Sequence, residues 1–251
     1  MNSAHHLFDI LIALHITTGA PGLIAFWLPV VTKKGSQLHK VSGRAFTVMM
    51  LLTASFAVAM ATLTISHPIK THPQLMEIDA FSDPVLIRGI FGWMMLYLGI
   101  LTINLAWYGW VTVRHKTEHE KMRGPINLAM QGLLTVASLN CAVQGMLIQQ
   151  PMMIGISMVG FATVATNMWF ILNRSPKPID WLLEHIKALV GTGISVYTAF
   201  FAFGAVRLMP QLALAPILWA IPLIIGLTLI IYHQRTVIDR SAFRRPSRST
   251  A

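Results

Sequence analysis

The sequence predicts an all-α, polytopic membrane protein: a bundle of seven transmembrane helices, N-terminus outside and C-terminus in the cytoplasm. Three observations carry this. Of the 251 residues, 55% are hydrophobic and only 11% charged, where a soluble domain is nearer ~25% charged; the mean hydropathy is +0.62. Apolar runs of about 20 residues, each long enough to cross a ~30 Å hydrocarbon core, recur from one end to the other. Sixteen of the 19 Lys and Arg fall in alternate connections and the tail, and an excess of basic residues marks the cytoplasmic side. The expected location is therefore the inner (plasma) membrane, with the lipid bilayer as the principal partner. A net charge of +10 would suggest nucleic acid in a soluble protein. Here the charges follow topology, so no nucleic-acid partner is expected. Cys141 stands alone, which excludes an internal disulfide and a CxxC motif.

The spans are expected at 8–31, 42–66, 85–112, 126–148, 152–172, 186–207 and 213–232. The N-terminus lacks a basic leader, so the first run is expected to be retained rather than cleaved. Its Gly19-Ala20-Pro21-Gly22 predicts an interruption at mid-membrane, beside His15. Between the first two spans lies a basic, glycine-punctuated turn with Lys33, Lys34, Gly35, His39, Lys40 and Arg44. The second span is uncharged and rich in small residues, which suits close helix packing. The outer loop after it holds His67, His72, Glu77, Asp79 and Asp83, without the spacing of a specific metal motif. The third span opens with Arg88, expected to snorkel or to pair with Asp83 or Asp9. Trp93, Tyr97, Trp107, Tyr108 and Trp110 are expected interfacial anchors.

The next inner loop holds His115 and His119, an HxxxH with Lys116 where a zinc protease needs Glu; it reads as a solvated charged loop. The fourth and fifth spans are joined by Gln149-Gln150-Pro151 and form a tight antiparallel pair. The fourth carries a polar stripe of Asn127, Gln131, Thr135 and Ser138, explained by interhelical hydrogen bonds or by a polar conduit. Asp180 is a candidate N-cap of the sixth span, with Glu184 complementing the helix dipole. Residues 1–233 thus form the transmembrane domain. Residues 234–251 form a basic tail, expected to be disordered against anionic lipid.

The chemistry-bearing candidates are histidines. His15 precedes the inner end of its helix by about 16 residues, ~24 Å at 1.5 Å per residue, so it cannot share a metal with His39 and His185. The latter two begin helices that start at the inner face and lie at similar depth. Facing imidazoles in a bundle can ligate a b-type haem or a transition metal. His39 and His185 are accordingly the candidate metal ligands, His15 belongs to a separate outer site, and Arg44 is the candidate partner of a propionate or other anionic group.

Leu14-His15-Ile16 with Gly19, then Lys34-Gly35, Leu38-His39-Lys40 and Gly43-Arg44, resembles a bacterial family of uncharacterised multi-pass membrane proteins. Those show a membrane His followed by Gly, then a KG…H-[RK]-x-x-G-R turn. Trp181, His185-Ile186, Gly191, Gly193-Ile194, Thr198-Ala199-Phe200 and Gly204 look like a later segment of such proteins. The chain departs from the pattern at Trp27-Leu28-Pro29 and Leu189-Val190. The resemblance implies the architecture and points to His15, His39 and His185, without implying a reaction. Three functions are compatible with these residues. One is a membrane redox or cofactor-binding protein. The second is a transporter of ions or small molecules with a proton-linked His15. The third is a metal-dependent lipid hydrolase using the inner histidines with His115.

Overall fold

The computed structural model describes residues 3–77, 83–204 and 216–243. Seven long helices follow one another: α1 (Ser3–Val31), α2 (Gln37–Ser66), α3 (Pro84–Arg114), α4 (Pro125–Leu147), α5 (Pro151–Leu172), α6 (Asp180–Ala199) and α7 (Pro216–Phe243). Among the described residues there is no strand. Six of these helices, all but α6, are long and apolar enough to cross a membrane. The chain is therefore a multi-pass membrane protein. α6 falls short because Asp180, Glu184 and Lys187 stand in its first half. The described part of the apolar run expected at 186–207 belongs to an amphipathic helix that begins at Asp180 and widens to π geometry at Phe200–Gly204; 205–207 lie outside the described residues.

Several starts follow from proline, which sits in the first turn of α3, α4 and α5, where its missing N–H has no partner to lose. The turn between α1 and α2 is equally local in origin. Gly35 takes a left-handed φ of +78°, which only glycine adopts without strain. Ser36 caps α2, its Oγ accepting from the His39 N–H at 3.2 Å. Lys34 Nζ donates to the carbonyls of Pro29 at 2.8 Å and Val30 at 2.5 Å, satisfying groups that the end of a helix leaves open.

The expected interruption of α1 does not occur: the helix runs through Pro21 and Pro29 to Val31. The small residues there admit α2 instead. A Cβ on Gly19 would stand 3.1 Å from Thr53 Cγ2, and one on Gly22 would collide with Met50. α2 thus packs directly along α1 on either side of Pro21.

α3 is the central element. Of its most apolar stretch 56% is buried, against 17% for α1 and α7, and it packs against α2, α4 and α6. α1 lies along α2, α4 and α5 form a hairpin, and α7 lies on α6. Tyr97 and Tyr108, expected at the interface, are instead core residues at 1% and 0% exposure. Each finds a buried acceptor: Tyr97 donates to the Ile156 carbonyl at 2.6 Å and Tyr108 to Glu184. A tyrosine satisfied inside the bundle has no need of the headgroup layer.

The connections at 32–36, 115–124 and 173–179 meet at one end, the basic end. There Arg123 Nε donates to the Ile171 carbonyl at 3.1 Å, closing α5, and Lys116 lies over Trp181. α7 continues past His233 to Phe243, since neither Gly nor Pro follows His233 until Pro246. The remainder of the expected tail, 244–251, lies outside the described residues.

At the opposite end Asp83 caps Val85 at 2.8 Å and Asp9 pairs with His5 at 3.6 Å. Neither acid meets Arg88, which is exposed. Asp79 lies outside the described residues. His72 is wedged between Phe8 and Phe91, ring centroids 5.0 and 4.9 Å away, and burial pushes its pKa down from 6.5 to about 4. The unfolded chain therefore binds the extra proton first as pH falls. His72 leaves stability intact above pH ~6.5 and lowers it progressively toward pH ~4. The gap is worth ~3 kcal/mol at most. Thermal unfolding in detergent should show a loss between pH 7 and 4.5, and His72→Phe should flatten that part of the profile.

Candidate functional site

His15, His39 and His185 share one arrangement. Their Nδ1 atoms lie 3.0 Å from the Thr53 carbonyl, 3.1 Å from Pro29 and 3.2 Å from Gly109, respectively. A carbonyl can only accept, so Nδ1 carries the proton in each ring and the neutral imidazole keeps its lone pair on Nε2. This is the tautomer of a metal-ligating histidine, whose other nitrogen donates to a carbonyl.

His39 and His185 lie at the same end of the bundle, and Lys34 Nζ shares the Pro29 carbonyl with His39 Nδ1. Pro29 ends α1, His39 begins α2, and Gly109 and His185 face each other across α3 and α6. Four elements thus meet at this point. His15 stands apart. Its partner Thr53 is fourteen residues along α2 from His39, about 21 Å of helix. Arg44 is exposed and has neither hydrogen bond nor ion pair among the described residues. The cation beside the pair is Lys34, held on the last carbonyls of α1; burial lowers its pKa from the ordinary lysine value. Among the described residues no group of three or more His, Cys, Asp or Glu side chains could hold a metal ion. The inner histidines are a pair, and neither His67 nor His72 belongs to such a cluster.

Above the pair, the α3–α6 interface is a polar seam. Tyr108 Oη donates to Glu184 Oε2 at 2.8 Å, and Lys187 Nζ donates to the same oxygen at 2.6 Å and to Thr166 Oγ1 of α5 at 3.1 Å. Farther along, the Thr102 and Ser195 hydroxyls bond at 2.7 Å. Glu184 is thus the centre of a network rather than a dipole-complementing residue. Asp180 does not cap its helix: its Oδ2 accepts from the Lys177 N–H at 2.8 Å.

The α4 stripe turns inward through Asn127 and Gln131, 3% and 2% exposed. Asn167 Nδ2 of α5 donates to Gln131 Oε1 at 3.2 Å and to Asn104 Oδ1 of α3 at 3.4 Å, while Asn104 Nδ2 donates to the Met130 carbonyl at 3.0 Å. Gln131 Nε2, Asn167 Oδ1 and Asn127 Oδ1 are buried with no protein partner. Buried amide atoms of this kind ordinarily hold ordered water or a polar solute. Thr135 lies outside this cluster, exposed and bonded to the Gln131 carbonyl at 2.9 Å. Asn104, Asn167, Tyr108, Lys187 and Thr166 carried no motif in the sequence. The only signal was that each is polar inside an apolar run.

No family model, curated protein or solved structure matches the chain.

Proposed function

We propose that this is a seven-span inner-membrane protein, N-terminus outside, that carries a redox cofactor at its cytoplasmic end through His39 and His185. α6 brings the spans to seven, Glu184 and Lys187 made tolerable by partners on α3 and α5 and Asp180 by the Lys177 N–H at the basic end. The cofactor is a b-type haem or a single transition-metal ion. One observation carries the reading: both imidazoles spend their Nδ1–H on carbonyls of neighbouring helices and keep Nε2 as the donor atom.

His39 and His185 would hold a haem through their Nε2 atoms, and the haem would supply one-electron exchange when bound. The chain's own part is positioning. The Pro29 and Gly109 carbonyls set the ring tautomers, and Lys34 supplies positive charge for a propionate in the place expected of Arg44. His15, with the same tautomer, marks a second site toward the opposite leaflet.

Protein purified from its own membrane, or loaded with haem, should show a Soret band. His39→Ala or His185→Ala should abolish it and His115→Ala should leave it. A spectrum without that band after haem loading, with no stoichiometric metal by elemental analysis, would end this reading. A second reading, a polar conduit, draws on the unpartnered amide atoms of Gln131, Asn167 and Asn127. Solute flux into proteoliposomes that Gln131→Ala leaves unchanged would exclude it. The hydrolase reading has no three-ligand group among the described residues to support it.

A further inference from the structure

The basic end contains a cleft separate from the His39–His185 pair. It lies where α3 ends, between the 115–123 connection, the last turn of α5 and the 174–181 segment, and its volume is about 200 Å³. Its wall carries Lys116, Lys177, His115 and His119, with Trp181 and Phe170 as the aromatic surfaces, and no carboxylate lines it.

Each cationic group is left available. Lys116 Nζ stands 5.6 Å over the Trp181 ring, and among the described residues neither Lys116 nor Lys177 makes an ion pair. Of the nearby carboxylates, Glu118 pairs with Lys121, Asp180 accepts from the Lys177 backbone N–H, and the exposed Glu120 does not line the cleft. His119 stacks edge-on against Phe170 at 4.7 Å, and its Nε2 is buried with no protein partner. A buried ring nitrogen without a protein partner is free to bond a water or a ligand atom.

The geometry points to a binding site for a phosphate-bearing anion, seated between Lys116 and Lys177 with His119 beneath it. Two ammonium groups and imidazole nitrogens match the several acceptor oxygens of phosphate. The volume is below that of pockets that hold drug-sized ligands, ~300 Å³ and upward, so it suits a headgroup rather than a nucleotide or a haem. Because the cleft opens where the apolar helices end, the phosphate can come from a phospholipid headgroup or from free phosphate in solution. The sequence reading of His115 and His119 as a solvated loop missed this site, because His119 gains its pocket from α5 and the 174–181 segment.

Native mass spectrometry of the full-length protein in detergent tests it, with phosphatidylglycerol, phosphatidylcholine and inorganic phosphate as probes. The wild type should hold one phosphatidylglycerol more tightly than phosphatidylcholine. Lys116→Ala/Lys177→Ala should weaken phosphatidylglycerol about thirty-fold, the effect of two lysines at a membrane surface, and Lys116→Arg/Lys177→Arg should retain it, which controls for folding. Phosphate that displaces the lipid at millimolar concentration identifies free phosphate as the ligand; lipid that resists it identifies the headgroup. Unchanged affinity in the alanine pair would overturn the site. So would an equal loss in Lys33→Ala/Lys40→Ala, because general basicity would then explain the binding.

Discussion

Glu184→Ala is expected to destabilise the bundle by about 3 kcal/mol, the low end for breaking a buried ion pair. The pair retains some solvent contact, with Lys187 and Glu184 side chains 22% and 17% exposed. Removing the carboxylate leaves the Lys187 ammonium without its counter-charge and the Tyr108 hydroxyl, in a fully buried residue, without an acceptor. The remaining partners of Lys187, Thr166 Oγ1 at 3.1 Å and the Tyr108 ring at 5.7 Å, carry no negative charge. Denaturant titration of purified protein measures this. Glu184→Leu/Lys187→Met should recover most of the loss, because replacing both charges removes the uncompensated one. A single variant as stable as wild type would show that the network contributes nothing to the fold.

Gly193→Leu is the second large effect. A Cβ at this position would stand 2.7 Å from Phe26 Cζ and 2.8 Å from Phe26 Cδ2. Phe26 cannot withdraw easily. It is 5% exposed and rests against Trp27, Phe46 and Tyr197 at centroid distances of 5.2, 5.5 and 5.8 Å. The Tyr197 hydroxyl in turn accepts from Trp27 Nε1 at 2.7 Å and donates to the Leu23 carbonyl at 2.9 Å. The side chain would force α6 off α1, at a cost of about 1–3 kcal/mol for overpacking, and would move His185, which sits on the same helix. Phe26→Ala alone should cost about 3–5 kcal/mol. The double variant Gly193→Leu/Phe26→Ala should be more stable than the sum of the single effects predicts, since each change fills or vacates the same space. Strict additivity would mean that the two residues do not share that space.

Much of the bundle was legible from the chain because its signals are local. Apolar runs locate the helices, prolines locate the starts of α3, α4 and α5, and the Gly35–Ser36 dipeptide locates the turn that carries His39. Those features depend on residues within a turn or two of one another. The distance between His15 and His39 is legible for the same reason, since rise per residue is a property of a single helix.

Other readings failed where a neighbour decides the outcome. Pro21 reads as a break until α2 is seen against Gly19 and Gly22. Tyr108 reads as an interfacial anchor until Glu184 is found within hydrogen-bond distance. Asp180 and Glu184 read as terminus residues because composition cannot say that Lys187 and Tyr108 meet on one carboxylate oxygen, with Thr166 on the Lys187 ammonium. Arg44 and Lys34 are equally basic in the sequence, and only the folded end of α1 selects Lys34.

By itself, then, the sequence determined the class of this protein, an α-helical chain with repeated membrane-length apolar helices, and the His39 turn. Hydropathy and capping are sums over neighbouring residues, and a chain carries those sums before it folds. The tertiary structure decided which polar groups meet: His39 and Lys34 on the Pro29 carbonyl, Glu184 with Tyr108 and Lys187, and the two lysines with His119 around a cleft. Helical periodicity says which face a residue occupies. It does not say which helix will cover that face, and in an apolar medium that partner sets the cost and the use of every buried polar group.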